Sequence, residues 1–233
     1  MNIPYFFEPH LTTDSVNLND ANTHYMLQVL RMKEKESFFL TNGRGQKWLC
    51  TIQSIAKKDV AATIVEKNIV EPRMHPLHLA IAFTKNPSRM EWLLEKVCEM
   101  GIESITPILT QRSEKNYFKK ERFEKILIAA MLQSQQTYLP ILEEPKALKD
   151  IIEREYDQKL IAYCGQEFEK FSALNAVKPR KSTLFLIGPE GDFTSDEVHL
   201  CMQNQFSAIH LGANRLRTET AGLFVCTLFN AIQ

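Results

Sequence analysis

The chain has 233 residues, 44% of them hydrophobic, enough to bury one large core or two modest ones. Its 28 basic and 28 acidic residues cancel, so no global positive field advertises nucleic acid, and any such surface has to be a local patch. Five cysteines (Cys50, Cys98, Cys164, Cys201, Cys226) are odd in number and scattered without a CxxC pair. That argues against a disulfide framework or a zinc site and suits reduced thiols in the cytoplasm. Met1 to Glu8 lacks a basic start and a long apolar run, and nothing later approaches the roughly 20 apolar residues of a membrane span.

The first 72 residues read as short alternating runs, Ser37 to Thr41, Lys47 to Ile55 and Val60 to Val65, with Asn42-Gly43-Arg44-Gly45 as a hairpin turn. One helix interrupts them, from an Asp20 cap through His24, Leu27 and Leu30 to Arg31. The composition predicts a small β-rich barrel. Glu71-Pro72-Arg73-Met74-His75-Pro76 then supplies two prolines and marks a domain boundary, giving domains 1–72 and 73–233.

Strands and helices alternate from there. Leu77 to Phe83, Ile105 to Leu109, Leu160 to Tyr163, Thr183 to Ile187 and Ala208 to Leu211 read as strands. Pro87 to Met100 and Lys119 to Gln135 read as helices, the first stopped by Gly101. The alternation predicts a mostly parallel sheet. Thr194-Ser195-Asp196-Glu197 has the form of a capping box and starts another helix. The final helix, Thr218 to Ala231, is apolar nearly all round and needs cover on several sides, from the domain itself or from a second subunit.

Two glycine-bearing loops carry the chemistry: Leu186-Ile187-Gly188-Pro189-Glu190-Gly191-Asp192-Phe193, and Leu211-Gly212-Ala213-Asn214-Arg215-Leu216-Arg217-Thr218-Glu219-Thr220-Ala221. Each follows a strand and precedes a helix, so both emerge at the carboxyl edge of the sheet, where open α/β sheets bind ligands. Neither GxGxxG nor GxxxxGK[ST] occurs. The Gly188 to Gly191 turn lets backbone approach a flat, nucleoside-like ligand; its plain structural reading is a tight turn ending a strand. Glu219 suits the first turn of a helix, whereas Arg217 gains nothing from the helix dipole there. Arg217 is expected to pair with Glu190, Glu219 or an anionic ligand.

The two loops together resemble those of the RsmE-type family of ribosomal RNA uridine-N3 methyltransferases, in the SPOUT superfamily, whose pattern runs L-I-G-P-E-G-G-F and then L-G-x-x-I-L-R-T-E-T-A. Lys85, Glu91, Lys96, Glu99, Gly101, Ile105, Pro107, Arg112 and Ser113 fit the family's middle segment, and His24 with Val29-Leu30-Arg31 its N-terminal domain. The resemblance covers nearly the whole chain. It implies a small PUA-like RNA-binding barrel followed by an α/β domain with a C-terminal trefoil knot, working as a homodimer in the cytoplasm. It also implies S-adenosylmethionine as methyl donor, and as substrate a uridine near the decoding centre of small-subunit (16S) rRNA, presented in an assembled subunit. Ile187, Gly188, Pro189, Gly191, Leu211, Gly212, Leu216 and Thr218 would then hold the cofactor.

Uracil N3 carries a weakly acidic proton, so a site for it has to remove that proton or stabilise the anion. Arg217 suits the anion, and Glu219 and Glu190 are the acids available for the proton. Because N3 lies on the Watson–Crick edge, the base has to be unpaired. Arg31 and Arg112 are the preferred phosphate contacts, ahead of Arg44, Lys115, Lys119 and Lys120, while His24 is expected to pack or hydrogen-bond within the small domain rather than to act in catalysis. Three departures from the family pattern stand out: Asp192 for the second glycine, Gln135-Gln136 for a Gly-Arg pair, and Tyr5 for an N-terminal arginine. The competing readings are a SPOUT methyltransferase acting on another rRNA or tRNA base, a non-catalytic RNA-binding relative, and an unrelated nucleotide-using α/β enzyme.

Overall fold

The computed structural model describes residues 3–11, 16–56, 59–113 and 118–233. It divides into two compact units, Met1–Pro72 with Met131–Leu139, and Arg73–Ala130 with Pro140–Gln233. Recruitment of 131–139 into the first unit has a backbone cause. Leu139 N donates to Gly43 O at 2.9 Å and Gly45 N to Thr137 O at 2.9 Å, while the Tyr138 hydroxyl donates to Val70 O at 2.7 Å.

The first unit contains β1 (Tyr5–Phe7), β2 (Val16–Asn17), α1 (Asp20–His24), a π-helical turn (Tyr25–Val29), β3 (Ser37–Thr41), β4 (Gln46–Ala56) and β5 (Asp59–Ile69). The strands form one sheet in the order β1-β3-β4-β5-β2. The period of two puts Phe6, Phe38, Leu40, Trp48, Cys50 and Ile52 on the buried face, with Met26 of the π turn against them. The helix expected to run from an Asp20 cap to Arg31 is corrected in two respects. Asn19 is the cap, its side chain accepting from Asn22 N at 2.8 Å, and α-helical geometry ends at His24. Beyond it the ladder widens to bonds such as Leu30 N to Tyr25 O at 3.0 Å. The wider turn points Met26 into the core and leaves Tyr25, Val29 and Leu30 exposed.

The second unit runs β6 (Leu77–Ile81), α2 (Pro87–Glu99), β7 (Ser104–Leu109), α3 (Lys120–Gln133, its last residues lying in the first unit), β8 (Ile141–Leu142), β9 (Lys146–Ala147), α4 (Leu148–Ile152), β10 (Gln158–Ala162), β11 (Phe171–Ser172), α5 (Ala173–Ala176), β12 (Thr183–Ile187), α6 (Ser195–Gln203), β13 (Ser207–His210) and α7 (Thr218–Ile232). Its sheet has the order β11-β13-β10-β12-β6-β7-β8, with β9 paired to β7, and every pairing is parallel. The central strands β6 and β12 are buried along their whole length, as continuous apolar runs covered on both faces should be. α6 starts with the capping box that its T-x-x-E spacing predicts: Glu197 N donates to Thr194 Oγ1, and Thr194 N to Glu197 Oε2.

Register fixes what lies at the carboxyl edge. Ala162, the last residue of β10, pairs with both Ile187 of β12 and Ile209 of β13. The three loops that follow therefore leave the sheet side by side. α7 covers β6 and β12 and packs on α2, so the domain itself buries most of this apolar helix, with Leu223 and Phe224 half-buried. The approach is close at Gly222, where a Cβ would lie 2.9 Å from Ile81 Cδ1 and 3.1 Å from Leu93 Cδ1. Away from the carboxyl edge, His78 of β6 is enclosed between Tyr156 (Nδ1 to the hydroxyl, 2.9 Å) and Thr106 (Nε2 to Oγ1, 2.7 Å). Burial, reinforced by the nearby Arg154 cation, lowers its pKa from 6.5 to about 4.

Candidate active site

The loops after β10, β12 and β13 enclose a cleft of about 790 Å³, within the range of small-molecule sites. Of the residues singled out from the sequence, Ile187, Gly188, Pro189, Glu190, Leu211, Gly212, Leu216, Arg217 and Thr218 all line it. Thr218 joins the two glycine loops, its hydroxyl donating to Gly188 O at 3.1 Å. Gly212 has φ +128°, a conformation closed to L side chains, and a Cβ there would meet no protein atom within 4 Å. Two of the sequence candidates lie elsewhere. Gly191 lines a smaller neighbouring cavity, and Glu219 is buried behind the cleft in the first turn of α7.

The charges pair differently from the sequence expectation. Arg89, in the first turn of α2, takes both carboxylates, with Nη1 3.1 Å from Glu190 Oε1 and Nε 3.6 Å from Glu219 Oε1. Arg217 is exposed, and its side chain has no hydrogen bond or ion pair among the described residues. Glu219 is 7% exposed, and its Oε2 is buried without a hydrogen-bond partner among the described residues. A cation at a helix N-terminus is disfavoured by the dipole; Arg89 is placed there because the two carboxylates converge on it. Its sequence signal was present but unread: an arginine three positions past an Asn86 cap.

Arg112 is directed to the first loop. Its Nη1 donates to Gly191 O at 2.8 Å and lies 3.4 Å from Phe193 O, so it clamps that turn, and Arg215 adds a bond from Nη2 to Glu190 O at 3.0 Å. Asp192, the non-glycine departure, has φ +62°. It compensates with two bonds, accepting from Phe193 N and from Cys164 N, each at 2.9 Å. The second bond ties the loop after β12 to the loop after β10, whose residues Tyr163, Cys164, Gln166 and Lys170 form a third wall that reading the sequence overlooked. Burial, and next the Asp192 carboxylate, push the Cys164 thiol up, which disfavours the thiolate a nucleophile would need.

The other sequence candidates are dispersed. Arg31 is exposed with φ +55° at the end of the π turn. Arg44 is exposed in the β3–β4 turn, its N–H donating to Asn42 Oδ1 at 2.9 Å. Lys120 pairs with Glu144 at 3.0 Å, and Lys119 lies just ahead of α3. Lys115 falls outside the described residues. His24 is exposed, which corrects the packing alternative of its expected role in the small domain. No helix among the described residues is long and apolar enough to cross a membrane.

Residues 71–230 match the model of an RNA methyltransferase domain, and residues 18–65 that of an RNA methyltransferase PUA domain. The chain is 30% identical to the ribosomal RNA small subunit methyltransferase E of Buchnera aphidicola subsp. Acyrthosiphon pisum, over 90% of this chain and 85% of that one. The chain belongs to the ribosomal RNA small subunit methyltransferase E family. Its Bacillus subtilis member is 28% identical over 89% of this chain and 86% of its own. Among solved structures, a probable rRNA-methyltransferase from Porphyromonas gingivalis superposes with a TM-score of 0.93 at 32% identity, covering 99% of this chain and 98% of that one. A Legionella pneumophila methyltransferase determined with bound S-adenosylmethionine superposes with a TM-score of 0.85 at 26% identity, covering 99% and 98%. The architecture is the family's, a PUA-like domain joined to an α/β methyltransferase domain with a parallel sheet.

Proposed function

We propose that this protein transfers a methyl group from S-adenosylmethionine to N3 of one uridine near the decoding centre of small-subunit (16S) rRNA. The observation that carries the reading is the cleft at the carboxyl edge of the sheet, with Arg217 exposed in its wall and paired to no described carboxylate. The residues fit the donor. Loop backbone at Ile187, Gly188, Pro189, Leu211, Gly212 and Leu216 offers N–H and C=O groups beside apolar side chains, the lining a nucleoside requires. Thr218 keeps the two loops in register, and Gly191 closes the turn. The bound donor supplies an electrophilic methyl group, so the protein's task is to hold the acceptor nitrogen in line and manage its proton.

Arg217 stabilises the negative charge that spreads over the uracil oxygens when N3 loses its proton. Glu190 lines the cleft with its side chain 65% exposed, which supports it over buried Glu219 as the acceptor of that proton. Buried Glu219 anchors Arg89 and thereby Glu190. The PUA-like domain, residues 1–72 with Arg31, grips RNA, and Arg112 contributes from the catalytic domain by shaping the loop. The proposal extends, on the family resemblance of the two loops, to a homodimer, a trefoil knot threading the two glycine loops, an assembled subunit as substrate and a cytoplasmic location.

The test is methyl transfer from labelled S-adenosylmethionine to small ribosomal subunits lacking native modification, followed by mapping of the modified nucleotide. N3-methyluridine at one decoding-region position supports the proposal. A different base or RNA moves the substrate, and loss of cofactor binding as well returns the non-catalytic reading.

A further inference from the structure

The second glycine loop presents two arginines, Arg215 and Arg217, on either side of half-buried Leu216, and both are exposed and line the cleft. The chain is extended where it enters α7, with φ −71° and ψ 157° at Arg217, and in extended backbone residues two apart share a side. The methyl transfer proposed above uses Arg217 and leaves Arg215 without a role. Arg215 also stands where the family pattern has isoleucine, in a chain that carries Tyr5 and Gln136 at places where that pattern has arginine.

The other charges of the cleft are already engaged. Arg89 faces both Glu190 and Glu219. Lys170 Nζ donates to Cys164 O at 3.2 Å and to Gly165 O, and the Asp192 carboxylate accepts from Cys164 N and Phe193 N. Among the described residues Arg215 makes a bond from Nη2 to Glu190 O at 3.0 Å and none to a carboxylate. That bond carries the guanidinium from the loop after β13 to the loop after β12 and fixes it there, leaving the rest of its five N–H donors for an outside acceptor. Gly212 to Arg215 are all exposed, so this fixed cation stands on the rim of the cleft and not on its floor. Its charge also reaches Cys164 of the third wall, where it opposes the rise that burial, and next Asp192, impose on the thiol.

We infer that Arg215 grips a phosphate next to the acceptor uridine and so positions that nucleotide at the mouth of the cleft. The inference rests on the proposed methyl transfer and adds to it an RNA-positioning residue in the catalytic domain. S-adenosylmethionine is a net cation, with a sulfonium and an ammonium against a single carboxylate, so a positive rim works against the donor and favours an anion. A polynucleotide that delivers a base into the cleft brings its phosphodiesters to the rim, and the flat guanidinium fork matches two phosphate oxygens. Arg215 supplies register and carries no sequence information of its own.

The experiment titrates a short fluorescent single-stranded RNA containing uridine with protein saturated in S-adenosylhomocysteine, by anisotropy across a series of potassium chloride concentrations. Arg215→Ile should weaken binding by about 3–10-fold at low salt and flatten the plot of log affinity against log salt by about 0.7, the share of one phosphate on a single strand. Arg215→Lys keeps the charge and should keep the slope. S-adenosylmethionine affinity without RNA should not fall in either variant, which separates a grip on RNA from a strap between the loops or a clamp on the donor's carboxylate. In methyl transfer to small ribosomal subunits, Arg215→Ile should raise KM for the subunit more than it lowers kcat. An unchanged slope in Arg215→Ile, a slope flattened equally by Arg215→Lys, salt-independent binding by wild type, or weakened donor binding overturns the inference. Failure of wild type to methylate the subunits while Arg215→Ile still flattens the slope overturns the proposed substrate and leaves the phosphate grip standing.

Discussion

Arg89 and Glu190, 101 residues apart in sequence, meet at 3.1 Å across the wall of the cleft. The same guanidinium is the cation facing buried Glu219, so one side chain from α2 braces both glycine loops. Arg89→Ala leaves Glu219 buried and uncompensated and should lower stability by about 1–3 kcal/mol. Glu219→Gln in that background should recover part of the loss. Urea denaturation of the two single variants and the double variant checks this, and strictly additive losses would show that the pair is not coupled.

Arg217 has no carboxylate partner among the described residues. Arg217→Ala should therefore stay within about 0.5 kcal/mol of wild-type stability and keep its cofactor affinity. Its turnover should fall by about 100-fold, as for other groups that stabilise a developing anion. Calorimetric titration beside a methyl-transfer assay separates the two, and undiminished turnover would remove Arg217 from the chemistry.

The loop residues make a paired prediction. Asp192 adopts φ +62° and is held by two hydrogen bonds. Asp192→Ala loses the bonds and keeps the backbone strain, at a cost of about 2 kcal/mol. Asp192→Gly loses the bonds and relieves the strain, so its cost should be about 1 kcal/mol. Gly212→Ala runs the opposite way. At φ +128° with no crowding atom, its cost of about 1–3 kcal/mol would be purely conformational. Thermal unfolding of the three variants gives the order; a Gly212→Ala protein as stable as wild type would contradict the assigned backbone.

His78 predicts a pH dependence. Its folded pKa of about 4 lies below the ordinary 6.5, so the unfolded chain binds its proton first. Stability from this group is intact above pH 6.5 and is lost as pH falls toward 4, by about 3 kcal/mol in total. His78→Asn should flatten the stability curve across that window. Glu143, held at about 2 mainly by Arg154 and by Lys146, contributes its own loss only below 4.5, so the two windows meet only at the acid end of the His78 transition.

The periodic and turn-forming parts of this fold were legible in the sequence. The apolar runs of β6 and β12, the Pro87 start of α2, the Thr194 to Glu197 capping box and both glycine loops are local signals, each written within a few residues. What escaped is nonlocal. The π turn after His24 is decided by how Met26 meets the core, and the third wall at Tyr163 to Lys170 by which strands lie next to β10. Arg89's role is set by convergence of Glu190 and Glu219 from distant segments, and residues 131–139 join the first unit through backbone bonds to Gly43 and Gly45. Residue types at Arg217 and Glu219 announced chemistry; only geometry showed that one is exposed at the surface and the other buried as an anchor.

Gly222 sits four residues into α7 beyond Thr218, about 6 Å along the axis. A Cβ there would press on the buried ends of the Ile81 and Leu93 side chains, and to the extent that those ends do not give way, the first turns of the helix move off the sheet. Thr218 would lift with them and draw its hydroxyl from Gly188. Alignment of the two binding loops is thus gauged by an interhelical spacing set at a bare backbone position, so the cleft could be detuned from its rear without altering any residue that lines it.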